Sequence, residues 1–385
     1  MDTLSVYFKE IYQFLEYGEY SNFMKRLIDM TLDTEDISFY ERTLNFINLF
    51  DEDPSDSMLK ERSGLLLIDL ESFLRTKKIK EREQLIEVDK LVKSYPHSSF
   101  TLGSISLDIK EGEVIGLVGE NGNGKTTLLR SLCGELAPTT GTIRYHFKYK
   151  NRYDLRTKLV YIPQRTSNWH GSLLSNLMFT ASSYGIKGEE NIFLVELVIA
   201  RMGLRKYRDL NWSNLSSGYK MRFELARMLL RKPQLLLIDE PLANLDIVSQ
   251  QVILDDFRNI AKSPFRPLGI VLSSQQLYEV EKTSDLVIFL KEGKPNDFLK
   301  SDEDKTLSES IKLIVEFECN CEPETLRKIL SNLSLEKLQL KGGTYVAVFP
   351  NDISSEQFLR MIIKNKISLT YFRNISNSTS RFFLT

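Results

Sequence analysis

The chain has 385 residues, of which 42% are hydrophobic and 27% are charged. This length and composition are typical of a soluble globular protein with two or three domains. The formal net charge of −1 argues against a large nucleic-acid-binding surface, although a balanced total can conceal a local basic patch. Three cysteines are too few for a disulfide framework and indicate a reducing compartment. No apolar run approaches the roughly 20 residues that span a bilayer, and the N-terminus lacks the pattern of a signal peptide.

Residues 1–82 are predicted to form a helical N-terminal domain of three or four short helices. Apolar residues recur there at helical spacing, namely Leu4, Phe8, Ile11, Leu15, Ile37, Tyr40, Leu44 and Ile47. We interpret these stripes as the core of a small bundle, with a docking face as the alternative. Thr34, followed by two acids, predicts a helix start. The charged run RTKKIKERE at 75–83 predicts a solvated linker or helix end.

From about residue 85, short β-rich runs alternate with helical patterns. The continuous apolar runs 114–118 and 235–238 are typical of strands covered on both faces. This pattern predicts an α/β domain over residues 86–298. A polar linker at 300–305 then leads to a third domain at 306–385, whose βαββαβ pattern predicts a ferredoxin-like fold. Cys319 and Cys321 lie in this third domain, but no third or fourth metal ligand is near them in the sequence.

The segment GENGNGKT at 119–126 matches the phosphate-binding pattern G-x-x-x-x-G-K-[ST]. It follows a predicted strand and precedes a predicted helix, which is the context that the pattern requires. Glycines let successive backbone N–H groups point at phosphate oxygens, and a helix N-terminus favours an anion. Lys125 is expected to reach the β- and γ-phosphates of a nucleotide, and the Thr126 hydroxyl to bind Mg²⁺. The predicted nucleotide-binding residues of this segment are Gly119, Asn121, Gly122, Asn123, Gly124, Lys125, Thr126 and Thr127.

A second group of polar residues follows the apolar run 235–238. Asp239 is expected to hold Mg²⁺, and Glu240 to orient and deprotonate an attacking water. Two acids at a strand end could instead be ordinary solvent-facing residues. The phosphate-binding segment upstream favours the functional interpretation.

Between these two groups, the segment LSSGY at 215–219 resembles the L-S-G-G-Q signature of the ATP-binding cassette (ABC) ATPase family. The resemblance covers about residues 86–298 and implies an α/β P-loop NTPase cassette with a helical subdomain at about 165–230. It implies that Ser216 and Gly218 contact ATP held by an opposite subunit. Ser217 and Tyr219 depart from the pattern. Three further positions match the family in order: Tyr95 for stacking on adenine, Gln164 for sensing Mg²⁺ and water, and Asp246 in a loop at the dimer interface.

The resemblance also implies a mechanism and partners. In the family, two cassettes close head to tail over two ATP molecules, so this chain requires a second copy or a different cassette. It is expected to power a separate transmembrane permease from the cytoplasmic side, at the inner face of the membrane. Candidate permease contacts lie in the helical subdomain, at Trp169, Leu173, Leu174 and Leu177, with a place in the core of that subdomain as the alternative for the three leucines. The C-terminal segment 371–383 resembles an extension of ABC-2 type exporters, which favours export over import.

Gln275 stands where the family has a histidine, with Leu277 fixing the alignment. A glutamine amide can donate a hydrogen bond to the γ-phosphate, but it cannot become cationic or carry a proton as imidazole can. Because of Gln275 and the LSSGY signature, we expect slow or partner-dependent ATP hydrolysis. Two alternatives remain open. One is a nucleotide-dependent regulator or scaffold with little turnover, and the other is a soluble ABC ATPase that acts on nucleic acid or the ribosome.

Overall fold

The structure is a computed structural model, and it describes residues 3–52, 56–300, 312–341 and 343–376. The chain divides into two compact units, Met1–Phe298 and Leu299–Thr385. The first unit contains the N-terminal helices and an α/β cassette, and the second is a small α+β domain. This arrangement confirms the predicted fold class.

The described residues of the N-terminal region form four helices: α1 (Thr3–Glu16), α2 (Tyr20–Thr34), α3 (Ile37–Glu52) and α4 (Asp56–Thr76). Most of the predicted apolar stripe is buried among these helices, including Phe8 and Ile11. The predicted helix start at Thr34 is wrong, because Thr34 is the last residue of α2. Asp36 caps α3 instead, since its Oδ1 accepts a hydrogen bond from the Ser38 backbone N–H at 2.8 Å.

Two sheets form the cassette. The smaller sheet is antiparallel in the order β2-β1-β4, with β1 (Gln84–Ser94), β2 (Thr101–Lys110) and β4 (Thr140–Tyr145). The larger sheet has the order β5-β6-β7-β3-β8-β9. Its strands are β3 (Val114–Val118), β5 (Leu159–Ile162), β6 (Leu235–Ile238), β7 (Gly269–Ser274), β8 (Leu286–Lys291) and β9 (Lys294–Lys300).

Strands β5, β6, β7, β3 and β8 run parallel, and every residue of β3, β6 and β7 is buried. Helices α5 (Lys125–Leu132), α10 (Ile247–Ala261) and α11 (Leu277–Thr283) follow three of these strands or their adjoining loops. Because the carboxyl ends of parallel strands meet at one edge of a sheet, the segments after β3, β5, β6 and β7 lie side by side. The three residues predicted to be catalytic lie in these segments or directly after them: Lys125, Glu240 and Gln275.

A helical subdomain is inserted between β5 and β6. It contains α7 (Leu173–Ser183), α8 (Gly188–Arg201) and α9 (Ser217–Leu229), while the short α6 (Arg152–Lys158) precedes β5. Leu173 and Leu177 are fully buried in its core, which confirms the core alternative for these two leucines and contradicts their direct contact with a permease. Leu174 and Trp169 are only partly buried. Among the described residues, no helix combines the length and the apolar character needed to cross a bilayer.

The N-terminal helices pack against the cassette through buried charges. The fully buried Arg201 of α8 donates from Nε to Asp29 of α2 at 2.7 Å and from Nη1 to Asp256 of α10 at 2.6 Å. Asp33 of α2 accepts hydrogen bonds from Arg266 at 2.8 Å and from Ser263 at 3.0 Å. Burial raises the pKa of Asp33, although Arg266 opposes this shift. The division that we predict at residues 82–86 stays a prediction, since helices and cassette share one compact unit.

The segment 75–83 does more than link the two regions. Lys77 donates from Nζ to the carbonyl oxygens of Asp33 and Thr34 at 2.9 and 3.1 Å. Lys80 donates from Nζ to Glu111 at 2.5 Å, and its backbone N–H donates to the Pro264 carbonyl. The predicted solvated linker or helix end is confirmed, since α4 ends at Thr76 and most of the segment is exposed. In addition, these two lysines donate to acceptors that are distant in the sequence.

The second unit has the predicted βαββαβ order. Its elements are β10 (Leu313–Cys319), α12 (Pro323–Leu330), β11 (Lys337–Lys341), β12 (Thr344–Phe349), α13 (Ser355–Lys364) and β13 (Leu369–Asn374). The antiparallel sheet order β11-β12-β10-β13 is that of a ferredoxin-like domain. Most of the predicted linker 300–305 and the end of the segment 371–383 lie outside the described residues.

Candidate nucleotide-binding site

The loop 119–124 connects β3 to α5 and has a backbone that requires glycine. Gly124 has a φ of 97°, and a Cβ on it would lie 2.8 Å from Leu102 Cδ1 and 2.9 Å from Phe100 Cζ. A Cβ on Gly119 would lie 2.4 Å from the Leu290 carbonyl oxygen. The loop therefore needs two positions without side chains, one for its curl and one for close contact with β8. Asn121 and Gly122 are exposed on its outer side, and Asn123 accepts a hydrogen bond from the Glu292 N–H at 3.0 Å.

Lys125 is the first residue of α5 and is only 5% exposed. Its Nζ donates to the carbonyl oxygens of Gly119 at 2.6 Å and Glu120 at 3.2 Å. The same Nζ forms an ion pair with Glu240 Oε1 at 3.1 Å. That carboxylate oxygen has no hydrogen-bond partner of good geometry among the described residues. A buried cation beside the start of a helix forms a strongly anion-binding environment.

Thr126 and Asp239 bring two oxygen ligands together. Thr126 Oγ1 donates to Asp239 Oδ2 at 2.7 Å, although the residues lie on α5 and after β6. Tyr161 on β5 donates to the same oxygen at 3.3 Å. Burial, followed by the Asp239 carboxylate, raises the pKa of Tyr161 well above its usual value, so this phenol remains a donor. Mg²⁺ prefers such hard oxygen ligands and usually keeps several waters, and this pair of side chains fits that chemistry.

Ser273 on β7 contacts both acids that follow β6. Its Oγ donates to Asp239 Oδ1 at 2.6 Å and accepts from the Glu240 backbone N–H at 2.9 Å. Glu240 is 9% exposed and has a φ of 51°, which is uncommon for a residue with a side chain. Such conformations persist where surrounding contacts fix them, and they cluster at functional sites. The contact with Ser273 is one of the contacts that hold Glu240 in place.

The remaining residues predicted near the nucleotide lie around this centre. Tyr95 reaches α5, because its hydroxyl lies 3.4 Å from Thr127 Oγ1. Gln164 follows β5 and Gln275 follows β7, and both side chains are exposed at the same edge of the sheet. The described contacts do not join either glutamine to Asp239 or Glu240. Their predicted roles stay predictions.

The signature segment forms the start of α9 and contacts the loop 243–246 of the same chain. Ser216 is the exposed residue before α9. Ser217 adopts an ordinary helical backbone and donates from Oγ to the Asn244 carbonyl oxygen at 2.8 Å. A Cβ on Gly218 would fit without a clash, in ordinary van der Waals contact with Leu245 and Ser249 at 3.7 Å. The serine that departs from the family pattern therefore ties the two loops together.

Tyr219 and Asp246 both have structural contacts within the chain. The hydroxyls of Tyr219 and Tyr207 lie 3.0 Å apart, and their ring centroids are separated by 4.1 Å. Asp246 caps α10 by accepting hydrogen bonds from the Ser249 hydroxyl at 2.6 Å and N–H at 2.9 Å. These bonds, with that from the Ser249 side chain foremost, lower the pKa of the Asp246 carboxyl. The predicted role of Asp246 toward ATP is not tested by these contacts.

Sequence reasoning does not identify Ser273 or Tyr161 as functional. Ser273 appears in the sequence only as one of two hydroxyls after an apolar run, and Tyr161 as part of the segment YIPQ. Their contacts with Asp239 depend on the alignment of β5, β6 and β7. The one sequence signal that could have identified them is a hydroxyl residue in or at the end of an apolar run that is predicted to be a buried strand.

Comparison with known proteins places the cassette among close relatives. The family model described as ABC transporter matches residues 102–243. A probable ABC transporter ATP-binding protein of Cyanophora paradoxa is 34% identical over 179 residues, covering 44% of this chain and 70% of that protein. The high-affinity zinc uptake system ATP-binding protein ZnuC of Bacillus subtilis is 30% identical over 217 residues, covering 54% and 92%. The solved structure of cbiO1 from Clostridium perfringens, part of the ABC transporter complex cbiONQ, has a TM-score of 0.52 and 26% identity, covering 56% and 88%.

Proposed function

This chain belongs to the family of ABC transporter ATP-binding proteins, and we propose that it uses ATP hydrolysis to drive a separate membrane permease. Membership makes it an ATP-binding subunit and an ATPase. The observation that carries the proposal is that Thr126 contacts Asp239 and Lys125 contacts Glu240, while Ser273 links the two acids. A lysine and a hydroxyl at the start of a helix, together with two acids at the end of a neighbouring strand, are the groups that phosphoryl transfer requires.

Each side chain has a separate role in the proposed reaction. Lys125 and the first N–H groups of α5 bind the β- and γ-phosphates. Thr126 and Asp239, with Gln164, would hold Mg²⁺, which when bound offsets the charge of the phosphates. Glu240 orients a water for in-line attack and accepts its proton. Tyr95 stacks on the adenine ring beside Thr127.

The proposed active form is a head-to-tail pair of cassettes, made by two copies or by this chain and a different cassette. Ser216, Gly218 and Asp246 would then serve the ATP of the opposite cassette. Support comes from the exposure of Ser216 and Asp246. The adjacent Ile247 and Val248 are 74% and 73% exposed, which suits a surface that becomes covered on closure.

We place this subunit at the inner face of the membrane and assign it to export. The export direction rests on the resemblance of segment 371–383 to ABC-2 exporters. A relative named for zinc uptake is also similar over the cassette, so the cassette sequence does not distinguish direction. The direction of transport is tested by measuring the concentration of the transported solute inside and outside cells that carry the permease. Net accumulation inside the cells would contradict export.

ATP binding is tested by calorimetric titration of the purified chain with Mg-ATP. We expect a Kd in the micromolar to millimolar range, with binding lost in Lys125→Ala because the buried ammonium is removed. Lys187→Ala is the matched control, since this exposed lysine precedes α8. Equal affinity of wild type and Lys125→Ala would contradict the assignment of the site.

Dimeric closure is tested with Glu240→Gln, which removes the proposed base and keeps the side-chain shape. We expect this variant to accumulate as an ATP-bound dimer in gel filtration, since hydrolysis no longer reopens it. Only monomer would rule out the homodimer and leave the heterodimer. Steady-state phosphate release by wild type separates the transporter subunit from a regulator with little turnover.

A further inference from the structure

A strip of six consecutive residues, which runs from the loop after β4 into the first two residues of α6, combines cations with exposed aromatic rings. The basic–aromatic strip is Lys148, Tyr149, Lys150, Asn151, Arg152 and Tyr153. All six are exposed. The wider segment 144–158 holds six Lys or Arg and one Asp, so it carries a net charge of +5 in a chain whose total is −1.

The cations of the strip are available to an outside partner. Among the described residues, no carboxylate forms an ion pair with Lys148, Lys150 or Arg152. The one acid of the segment, Asp154, accepts a hydrogen bond from the Lys150 backbone N–H at 2.8 Å. Outside the strip, Arg144 pairs with Glu87 at 2.9 Å and so does not contribute. Three unpaired cations are thus concentrated within five residues.

The strip is held in shape by the fold. Lys158 donates from Nζ to the Lys148 carbonyl oxygen at 2.6 Å and closes the loop. Asn151 caps α6 by accepting hydrogen bonds from the Tyr153 N–H at 2.9 Å and the Asp154 N–H at 3.0 Å. The Tyr149 ring lies edge-on to the partly buried Tyr145 at 5.9 Å between centroids. A surface fixed in this way loses little conformational entropy when it binds.

The aromatic residues distinguish this strip from an ordinary solvated run of charges. Tyr153 is 83% exposed, the highest value among the large hydrophobic side chains described, and Tyr149 is 44% exposed. Tyrosine rings favour the headgroup level of a bilayer, where one end is apolar and the other is wet. Basic residues beside them are attracted to anionic lipids.

We propose that the basic–aromatic strip binds the anionic phospholipid headgroups of the membrane in which the permease lies. Charge complementarity supports this partner, and an uninterrupted exposed strip suits a flat surface. Single-stranded nucleic acid is instead bound in a positively charged groove. The proposal rests on the proposed function only in that the cassette works at a membrane. It adds a lipid contact that would orient the cassette independently of the permease.

The test is co-sedimentation of the purified full chain with vesicles. One set contains phosphatidylcholine alone, and the other contains equimolar phosphatidylcholine and phosphatidylglycerol. Each cation near an anionic surface changes partitioning by about fivefold, so the triple variant Lys148→Gln, Lys150→Gln, Arg152→Gln should bind the anionic vesicles on the order of 100-fold more weakly. Added salt should weaken wild-type binding. The double variant Tyr149→Ser, Tyr153→Ser should also bind more weakly, and its binding should keep the salt dependence of wild type because the three cations remain.

A matched control removes the same charge from scattered sites. Lys9→Gln, Lys78→Gln, Lys187→Gln takes three exposed lysines from other elements and should bind the anionic vesicles within a fewfold of wild type. Equal loss in both triple variants, equal wild-type binding to the two vesicle types, or tighter binding to a single-stranded RNA oligonucleotide than to anionic vesicles would each overturn the proposal. ATP hydrolysis is measured separately on the same proteins, so a failure of vesicle binding leaves the proposed ATPase function standing.

Discussion

The Ser273 hydroxyl is the contact through which one side chain holds both acids of the candidate site. It is completely buried, it donates to Asp239 at 2.6 Å, and it accepts from the Glu240 N–H at 2.9 Å. Ser273→Ala removes a donor to a carboxylate and the acceptor of a buried N–H. Asp239 keeps the bonds from Thr126 and Tyr161 on its other oxygen. The substitution therefore releases the Glu240 backbone N–H and one oxygen of Asp239, while the ion pair of Glu240 with Lys125 remains.

The size of the effect follows from the two lost hydrogen bonds. A hydrogen bond to a charged group contributes about 1.5–3 kcal/mol and a neutral one about 0.5–1.5 kcal/mol. If the loss of these hydrogen bonds raises the activation free energy of hydrolysis by about 2 kcal/mol, kcat falls roughly 30-fold. Because Lys125 and the loop 119–124 are untouched, we expect the Kd for ATP to stay nearly constant.

The assay is steady-state phosphate release over a range of ATP concentrations, together with urea unfolding. Ser131→Ala is the control, since Ser131 is also completely buried and donates to the Thr127 carbonyl at 2.8 Å. Both substitutions should lower the free energy of unfolding, and only Ser273→Ala should lower kcat. If kcat is unchanged in Ser273→Ala, or falls equally in the control, Ser273 is a structural residue and does not position the acids.

Three further substitutions have expected outcomes. Gln275→His should raise steady-state phosphate release, because imidazole restores a donor that can also carry charge; an equal or lower rate would contradict our interpretation of Gln275. Arg201→Met should lower the free energy of unfolding in urea by about 3 kcal/mol, because it leaves half-buried Asp29 and buried Asp256 without their common partner, although Asp256 keeps Lys25. A loss no larger than that of the exposed control Lys187→Ala would show that the two ion pairs of Arg201 are not needed. Ser217→Gly should lower the same free energy by about 0.5–1.5 kcal/mol through loss of the bond to Asn244, and unchanged stability would argue against that contact.

Short local patterns were sufficient to predict the architecture and the phosphate-binding loop. The continuous apolar runs at 114–118 and 235–238 became β3 and β6, and the βαββαβ order became the ferredoxin-like domain. The glycines of 119–124 were recognisable because a phosphate-binding loop depends on the conformational freedom of successive residues in one segment. Such features are encoded within about a dozen residues, so a single sequence is enough to reveal them.

Contacts between segments far apart along the chain could be seen only in the tertiary structure. Ser273 meets Asp239 because Ile238 of β6 pairs with Leu272 of β7, and no local pattern encodes that register. Arg201 joins Asp29 and Asp256 across 172 and 55 residues, which turns the N-terminal helices and the cassette into one unit. Lys77 and Lys80 of the largely exposed segment 75–83 likewise donate to acceptors that are distant in the sequence. A buried charge or hydroxyl needs a partner, but its sequence does not say which one, since the choice depends on how strands and helices pack.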